Sequence, residues 1–310
     1  MVFTVGGIRP IFHYSSRFLF TYHSLVVNLG DIVDGKCQDL ETHGGELPDV
    51  KNKDFDPGQE ALEEVLDALS GYRGPILHTY GNHCLYNVDR MTLQDKLGMK
   101  FVQEPCGDLV GYSKYHLNGM NFITVDSYDI AKMRRCEKTS KKHAQAVEIL
   151  SRHNPNYPDN ENSPEGMSGD SKRFVAFNGA VGEVQLEWLR ETLLNVRVSG
   201  EKAIILSHQP ILPHSSSPVC LMWNYEEVLP ILREFGDVVV ASFSGHAHKG
   251  GYKRDRESGI HFRVFEAVLE NPHPHKTYAL IDIHVDHLVV NGFGNCESAV
   301  YTFDHLETAR

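Results

Sequence analysis

Four absences narrow this sequence of 310 residues before any motif is read. No apolar run approaches the roughly 18 residues that a membrane-spanning helix requires. The six cysteines (Cys37, Cys84, Cys106, Cys136, Cys220 and Cys296) include no Cys-x-x-Cys pair. In a chain this long, that pattern reads as reduced thiols rather than a disulfide framework. Basic residues are outnumbered, 30 Lys and Arg against 41 Asp and Glu, and a formal net charge of −11 argues against a nucleic-acid binder. The same charge repels phosphate, so phosphate chemistry here would need bound cations to reverse the local field. The last absence is local: no Asp or Glu precedes Asp31.

The opening thirty residues carry Arg9, Arg17 and several serines, a faint presequence character. Gly6, Gly7 and Pro10 break any amphipathic helix there, so a cytosolic protein is expected. Neither a membrane nor a nucleic acid is expected as a partner, and a monomer is expected.

With 41% hydrophobic residues the chain can bury a sizeable core, and no internal repeat or linker divides it. Apolar runs at 25–29, 76–80, 203–206 and 238–243 read as buried strands. Between them, Leu62, Val65, Leu66 and Leu69 fall at helical spacing, as do Leu186, Leu189 and Leu193. Residues 225–235 form a third candidate helix. After Gly259 the pattern turns to consecutive strands at 261–265, 278–285 and 288–290, with a turn at Asp286-His287. Residues 154–178, rich in Asn, Pro, Ser and Gly, read as a long functional loop. The expectation is a layered α/β domain over 23–310, preceded by an atypical segment over 1–22.

Each of the first four strands ends in a polar block: Gly30-Asp31, Gly81-Asn82-His83, Ser207-His208-Gln209-Pro210 and Gly245-His246-Ala247-His248. Asp31 can bridge two divalent ions, and Asn82 offers a neutral amide oxygen. His208, His246 and His248 offer imidazole nitrogens, which suit Mn, Fe, Zn or Ni better than Ca. Plainer readings exist one residue at a time: Asp31 as a turn cap, His208 as a satisfied strand-end histidine. Four such blocks in order, each after an apolar run, outweigh them and point to a metal-dependent hydrolase. Two ions roughly 3.5–4 Å apart would clamp a phosphate and generate a hydroxide nucleophile near neutral pH.

This ordered set resembles the calcineurin-like metallophosphoesterases from about Leu25 to Gly294. The resemblance implies a four-layer α-β-β-α sandwich with two divalent cations at the strand ends. Asp31 would bridge them, Asn82, His208 and His246 would bind the second, and His248 the first. His83 would face the phosphate and assist departure of the leaving oxygen. Further segments resemble the manganese-dependent ADP-ribose/CDP-alcohol diphosphatases: Asn154-Pro155-Asn156, Asn162-Ser163-Pro164, Phe177-Asn178-Gly179, Val219 to Tyr225 and Gly250-Gly251-Tyr252. That likeness implies Mn²⁺ as the metal (Mg²⁺, Zn²⁺ or Fe as alternatives) and cleavage of a nucleotide pyrophosphate. Phe177, Asn178 and Cys220 become candidate substrate contacts, although Phe177 and Trp223, taken singly, read more readily as core aromatics.

Two departures stand out. The family's first strand ends in Asp-x-His or Asp-x-Gln, which has no counterpart upstream of Asp31; His13 and His23 follow no Gly-bounded apolar run. The first ion would keep only Asp31, His248 and water, and a missing first strand would leave a neighbouring edge unpaired. Cys84 stands where the family has an acidic residue, and an orienting group of that kind is worth about 10–100-fold in affinity or activity. Reduced activity, or a catalytically inactive nucleotide-binding relative, is therefore an expectation alongside the working enzyme, as is a phosphoesterase of other specificity.

Overall fold

A computed structural model describes residues 2–6, 23–33, 35, 57–133, 140–270 and 277–303. Its strands and helices follow in chain order: β1 Val2–Gly6, β2 His23–Asn28, α1 Pro57–Leu69, β3 Ile76–His78, α2 Asn82–Asn87 and α3 Arg90–Leu97. Next come β4 Val102–Gln103, β5 Leu109–Val110, β6 Ser113–Leu117, β7 Met120–Val125, α4 Lys141–His153, α5 Glu183–Val198 and β8 Lys202–Ser207. The chain closes with α6 Tyr225–Glu234, β9 Val239–Ser244, β10 Gly251–Arg254, β11 His261–Val264, β12 Tyr278–Ile283, β13 His287–Phe293 and β14 Ala299–Thr302.

Two six-stranded sheets result, ordered β14-β13-β12-β1-β2-β3 and β10-β11-β9-β8-β7-β6. Between them lies a core built from Leu25, Val27, Phe122, Leu206, Phe243 and Ile281, among others. The opposite faces of β7, β8 and β9 pack Ile123, Val125 and Ile205 against Leu189, Leu193 and Val228 of α5 and α6. Buried on both faces, β7 and β9 read as continuous apolar runs rather than alternating ones. Leu62, Leu85 and Leu93 from α1, α2 and α3 form a separate cluster with Tyr80 and Tyr128. The architecture is the mixed α/β sandwich anticipated, and the three candidate helices are α1, α5 and α6. No described helix is long and apolar enough to cross a membrane.

The anticipated vacancy at the first strand is filled. Val2–Gly6 lies between β12 and β2, parallel to the former and antiparallel to the latter. Its Val-Phe-Thr-Val run suits a pleated, paired surface. The edge of β2 expected to be unpaired is therefore covered, with β1 on one side and β3 on the other.

Parallel pairing sets where chemistry can occur. Strands β7, β8, β9 and β11 run parallel, as do β2 and β3, so their carboxyl ends gather at one end of each sheet. Ligand sites of open α/β sheets form at such ends. Behind this end sits a buried ionic framework. Arg90 reaches Asp126 at 2.7 Å with both side chains almost wholly buried, and also donates to the Tyr128 carbonyl. Lys142 is bound between Asp129 and Glu104, while Gln185 joins Asp126 to Asp129. The loop carrying Tyr128 is thus fixed from both flanks. Arg90→Met would strand Asp126 in the interior at a cost of about 3–5 kcal/mol. Urea denaturation should show a lower midpoint at unchanged slope. A loss below about 1 kcal/mol would mean that the Gly111 and Tyr128 amides, which also donate to Asp126, suffice to hold it.

Candidate metal centre

Asp31 stands where β2 gives way to a sharp turn, and the turn's geometry is forced by contact. Gly30 has φ +93°, and a Cβ there would lie 2.4 Å from His208 Nδ1. A Cβ on Gly81 would come 1.9 Å from Asp31 Oδ1. Asp31 and His246 themselves hold left-handed backbone conformations at φ 52° and 65°. Such strain in non-glycine residues persists where the surroundings over-determine it, and it concentrates at functional sites.

Three donor atoms converge there. Asp31 Oδ2 lies 3.2 Å from His208 Nε2, and His208 Nε2 lies 3.1 Å from His246 Nδ1. Asp31, His208 and His246 form a cluster that could hold a metal ion, their ligand atoms all within 4.8 Å of one another. The outer nitrogens fix the tautomers. His208 Nδ1 donates to the Leu29 carbonyl at 2.6 Å, and His246 Nε2 donates to Asn178 Oδ1 at 2.7 Å. Asn178 cannot flip, because its Nδ2 donates to the carbonyls of Arg173, Val219 and Leu221. In the neutral rings both inner nitrogens then present lone pairs toward each other and toward a carboxylate. A proton or a metal ion between them makes that arrangement favourable, and a histidine held by a carbonyl or amide oxygen at its far nitrogen is the usual setting of a metal ligand.

Electrostatics agree. Burial works to raise the Asp31 carboxyl, yet the imidazoles of His208, His83 and His246 hold it well below the usual carboxylate range. Burial and then the neighbouring His208 push His246 far below the ordinary imidazole value, so it is neutral and available as a ligand. The donor set therefore fits a divalent ion of intermediate softness.

The remaining predicted residues surround this cluster. Asn82 is buried at the start of α2, its Oδ1 accepting from the Tyr128 hydroxyl at 3.4 Å. His83 donates its backbone N–H to Asp31 Oδ1 at 2.9 Å. Its ring Nδ1 accepts from Gly35 N–H at 2.9 Å, which leaves the proton of the neutral ring on Nε2. His248 faces His83 edge-on, with ring centroids 6.3 Å apart. Phe177 brings its ring to 5.7 Å from that of His246. Cys220 is half-buried beside Val219, and burial raises its thiol to about 11. Asn178, expected to touch substrate, is fully buried and bonded to His246. Trp223 is core, donating its indole N–H to the Val175 carbonyl.

The departures are equally visible. Cys84 is fully buried, its sulfur accepting from Ile32 N–H, and burial raises its thiol to about 11. It braces the turn after Asp31 but presents no charge to it. His23 lies on β2 opposite Gly6, far along the strand from Asp31, which removes it as a substitute ligand. His13 falls outside the described residues. Beside Asp31 and His248 opens a cavity of about 390 Å³, walled by Val65, Leu69, Phe265 and Val268. Sequence reasoning missed Asn178 as an orienting group, Tyr128 and the Arg90–Asp126 pair. No local pattern marks them, since each acts through a partner remote in sequence.

A family model of calcineurin-like phosphoesterases matches residues 21–250. The manganese-dependent ADP-ribose/CDP-alcohol diphosphatase of Oryza sativa subsp. japonica is 36% identical over 266 residues, 86% of this chain and 75% of the relative. Its Homo sapiens counterpart is 32% identical over 288 residues, 90% of this chain and 78% of the relative. The crystal structure of a dimetal phosphatase from Danio rerio matches with a TM-score of 0.80 at 27% identity, covering 97% of this chain and 98% of that one.

Two outcomes follow from this geometry. Replacing Asn178 by Ala frees the His246 ring, and Mn²⁺ affinity measured calorimetrically should fall about 10–100-fold; unchanged affinity would show that the ring is held without it. His78 behind the site is pushed down to about 4 by burial, and its Nδ1 lies 3.2 Å from Asn28 Nδ2. Because the folded value lies below the unfolded value of about 6.5, the folded state binds fewer protons. Stability is lost as pH falls from about 6.5 to 4 and levels off below. His78→Gln should flatten the denaturation midpoint across that window, and an unaltered pH profile would contradict the assignment.

Proposed function

Because the chain belongs to the calcineurin-like phosphoesterases, a family built around a dimetal centre, we propose that this metal-dependent hydrolase cleaves the pyrophosphate of ADP-ribose, CDP-choline or a related nucleotide with manganese, releasing a nucleoside monophosphate. The observation that carries the reading is the set of tautomer-locked donors around Asp31, in a chain about a third identical to diphosphatases of that specificity.

The residues divide the work. Asp31, Asn82, His208, His246 and His248 would hold the cations, with Asp31 shared between them. When bound, the ions supply charge stabilisation to the pyrophosphate and make water a competent nucleophile near neutral pH. His83 carries its proton on Nε2 and is fixed through Nδ1 by the Gly35 amide, so it is poised to protonate the departing phosphate oxygen. Phe177 and Cys220 stand on adjoining segments and supply an apolar wall for the nucleotide. Asn178 joins those segments to His246, which makes the wall and the metal cradle one unit. The carboxylate missing upstream of Asp31 favours a second reading, a nucleotide-binding relative with little turnover.

AMP release from ADP-ribose by purified protein across a Mn²⁺ titration separates the two. Saturable release above the background of His208→Ala is the expected result, and none from folded protein would overturn the enzyme reading. His208→Ala should also lose metal. His83→Ala should keep its metal while the rate drops about 10²–10⁴-fold; loss of metal in that variant would refute its role as acid.

A further inference from the structure

Strands β3 and β6 are each the edge strand of their sheet, and a cavity of about 190 Å³ is lined by residues of both. Gly98, at the end of α3, and Thr124 of β7 complete its wall. It shares no lining residue with the cavity beside Asp31.

The side chains around this cavity are rich in donors whose bonds are not spent elsewhere. Lys100 and Lys114 are exposed at its mouth. Neither meets a carboxylate among the described residues, whereas Lys96, Lys132 and Lys142 each pair with one. Ser113 and Thr124 face each other in the register of β6 and β7 and bring two hydroxyls. Thr124 is only 3% exposed, and neither hydroxyl is bonded within the described structure. The remaining donor is His78, 7% exposed. Asn28 accepts from Gly30 N–H through Oδ1, so it turns Nδ2 toward His78 Nδ1 at 3.2 Å. Burial keeps the ring neutral, which places its proton on Nε2, and Nε2 has no partner among the described residues. Buried donors are normally matched, and one left unmatched is costly.

The sign and size of an occupant follow. No carboxylate is among the described residues that line the cavity. In a chain of net charge −11, two unpaired ammonium groups at one opening are a local reversal of the field, and they attract an anion. The volume lies below the roughly 300–1,000 Å³ of sites that enclose drug-sized ligands. A phosphate group with little attached fits inside; a nucleotide does not.

We propose that this cavity binds a small phosphate, free or singly esterified, through Lys100 and Lys114 at its mouth and through His78 Nε2–H, Ser113 and Thr124 within. The site stands apart from the metal centre and does not depend on which bond that centre cleaves.

The test is calorimetric titration of the full chain with inorganic phosphate. It is run first without divalent metal, so that the centre at Asp31 does not compete for the anion. A single phosphate should bind per chain, more weakly as salt is raised, because exposed ammonium groups are screened. Lys100→Ala/Lys114→Ala should weaken binding about 10-fold or more, as should Thr124→Val, which removes a buried hydroxyl at nearly constant volume. Circular dichroism confirms that both variants fold. The imidazole nitrogen signal of His78 should move with phosphate, which separates this cavity from any other basic patch. In Mn²⁺-loaded protein a further phosphate meets the metal centre, and the lysine variant should lose one binding step and keep the other. Glycerol phosphate, run beside phosphate, names the source: tighter binding of the ester or of the free anion each upholds the site. No phosphate bound by the metal-free chain would overturn the proposal, as would unchanged affinity in the lysine variant or a His78 signal indifferent to phosphate. Since no hydrolysis is read, failure to cleave ADP-ribose would defeat the proposed substrate while leaving this outcome intact.

Discussion

Two imidazole nitrogens and a carboxylate oxygen converge in the interior of this protein, His208 Nε2 lying 3.2 Å from Asp31 Oδ2 and 3.1 Å from His246 Nδ1, a geometry that repels itself unless a cation intervenes. Much of the local structure serves to impose it. The Leu29 carbonyl and the Asn178 amide dictate which nitrogen of each histidine carries the proton. Gly30 and Gly81 allow the backbone to approach more closely than any side chain would permit. The left-handed conformations of Asp31 and His246 are the residual strain of that packing.

The cradle is anchored to the rest of the molecule by polar contacts rather than by apolar packing alone. Asn178 spends its amide on three carbonyls from two segments, so the loop bearing Phe177 and the turn bearing Cys220 move with His246 or not at all. On the far side, the Arg90–Asp126 pair and the Lys142 cluster hold the loop that presents Tyr128 to Asn82. Buried ion pairs of this kind contribute little net stability. Their value here is positional: they fix a hydroxyl against a ligand amide.

Much of this was legible beforehand. The strand ends carrying Asp31, Asn82, His208 and His246 were readable because strands buried on both faces leave continuous apolar runs, and the polar block after each run marks its end. Helices α1 and α5 announced themselves by apolar spacing, and α6 coincides with the candidate helix over 225–235. Strand β7 and helices α2, α3 and α4 did not: α2 has six residues and α3 has almost no apolar face. Asn178, expected to touch substrate, also orients His246, a role the chain does not announce because a sequence cannot say on which side of a ligand a neighbouring amide will lie.

The sequence by itself determined the chemistry: a carboxylate, an amide and three imidazoles at strand ends, with no acid before Asp31 and an excess of negative charge that makes cations necessary for phosphate. Tertiary structure decided the rest. It chose the tautomers, since these depend on a carbonyl 179 residues away from His208 and an amide 68 residues away from His246. It also decided that the empty-seeming start of the chain would supply a strand, and in the reverse sense to its neighbour, because pairing direction is set by long-range register and not by local propensity.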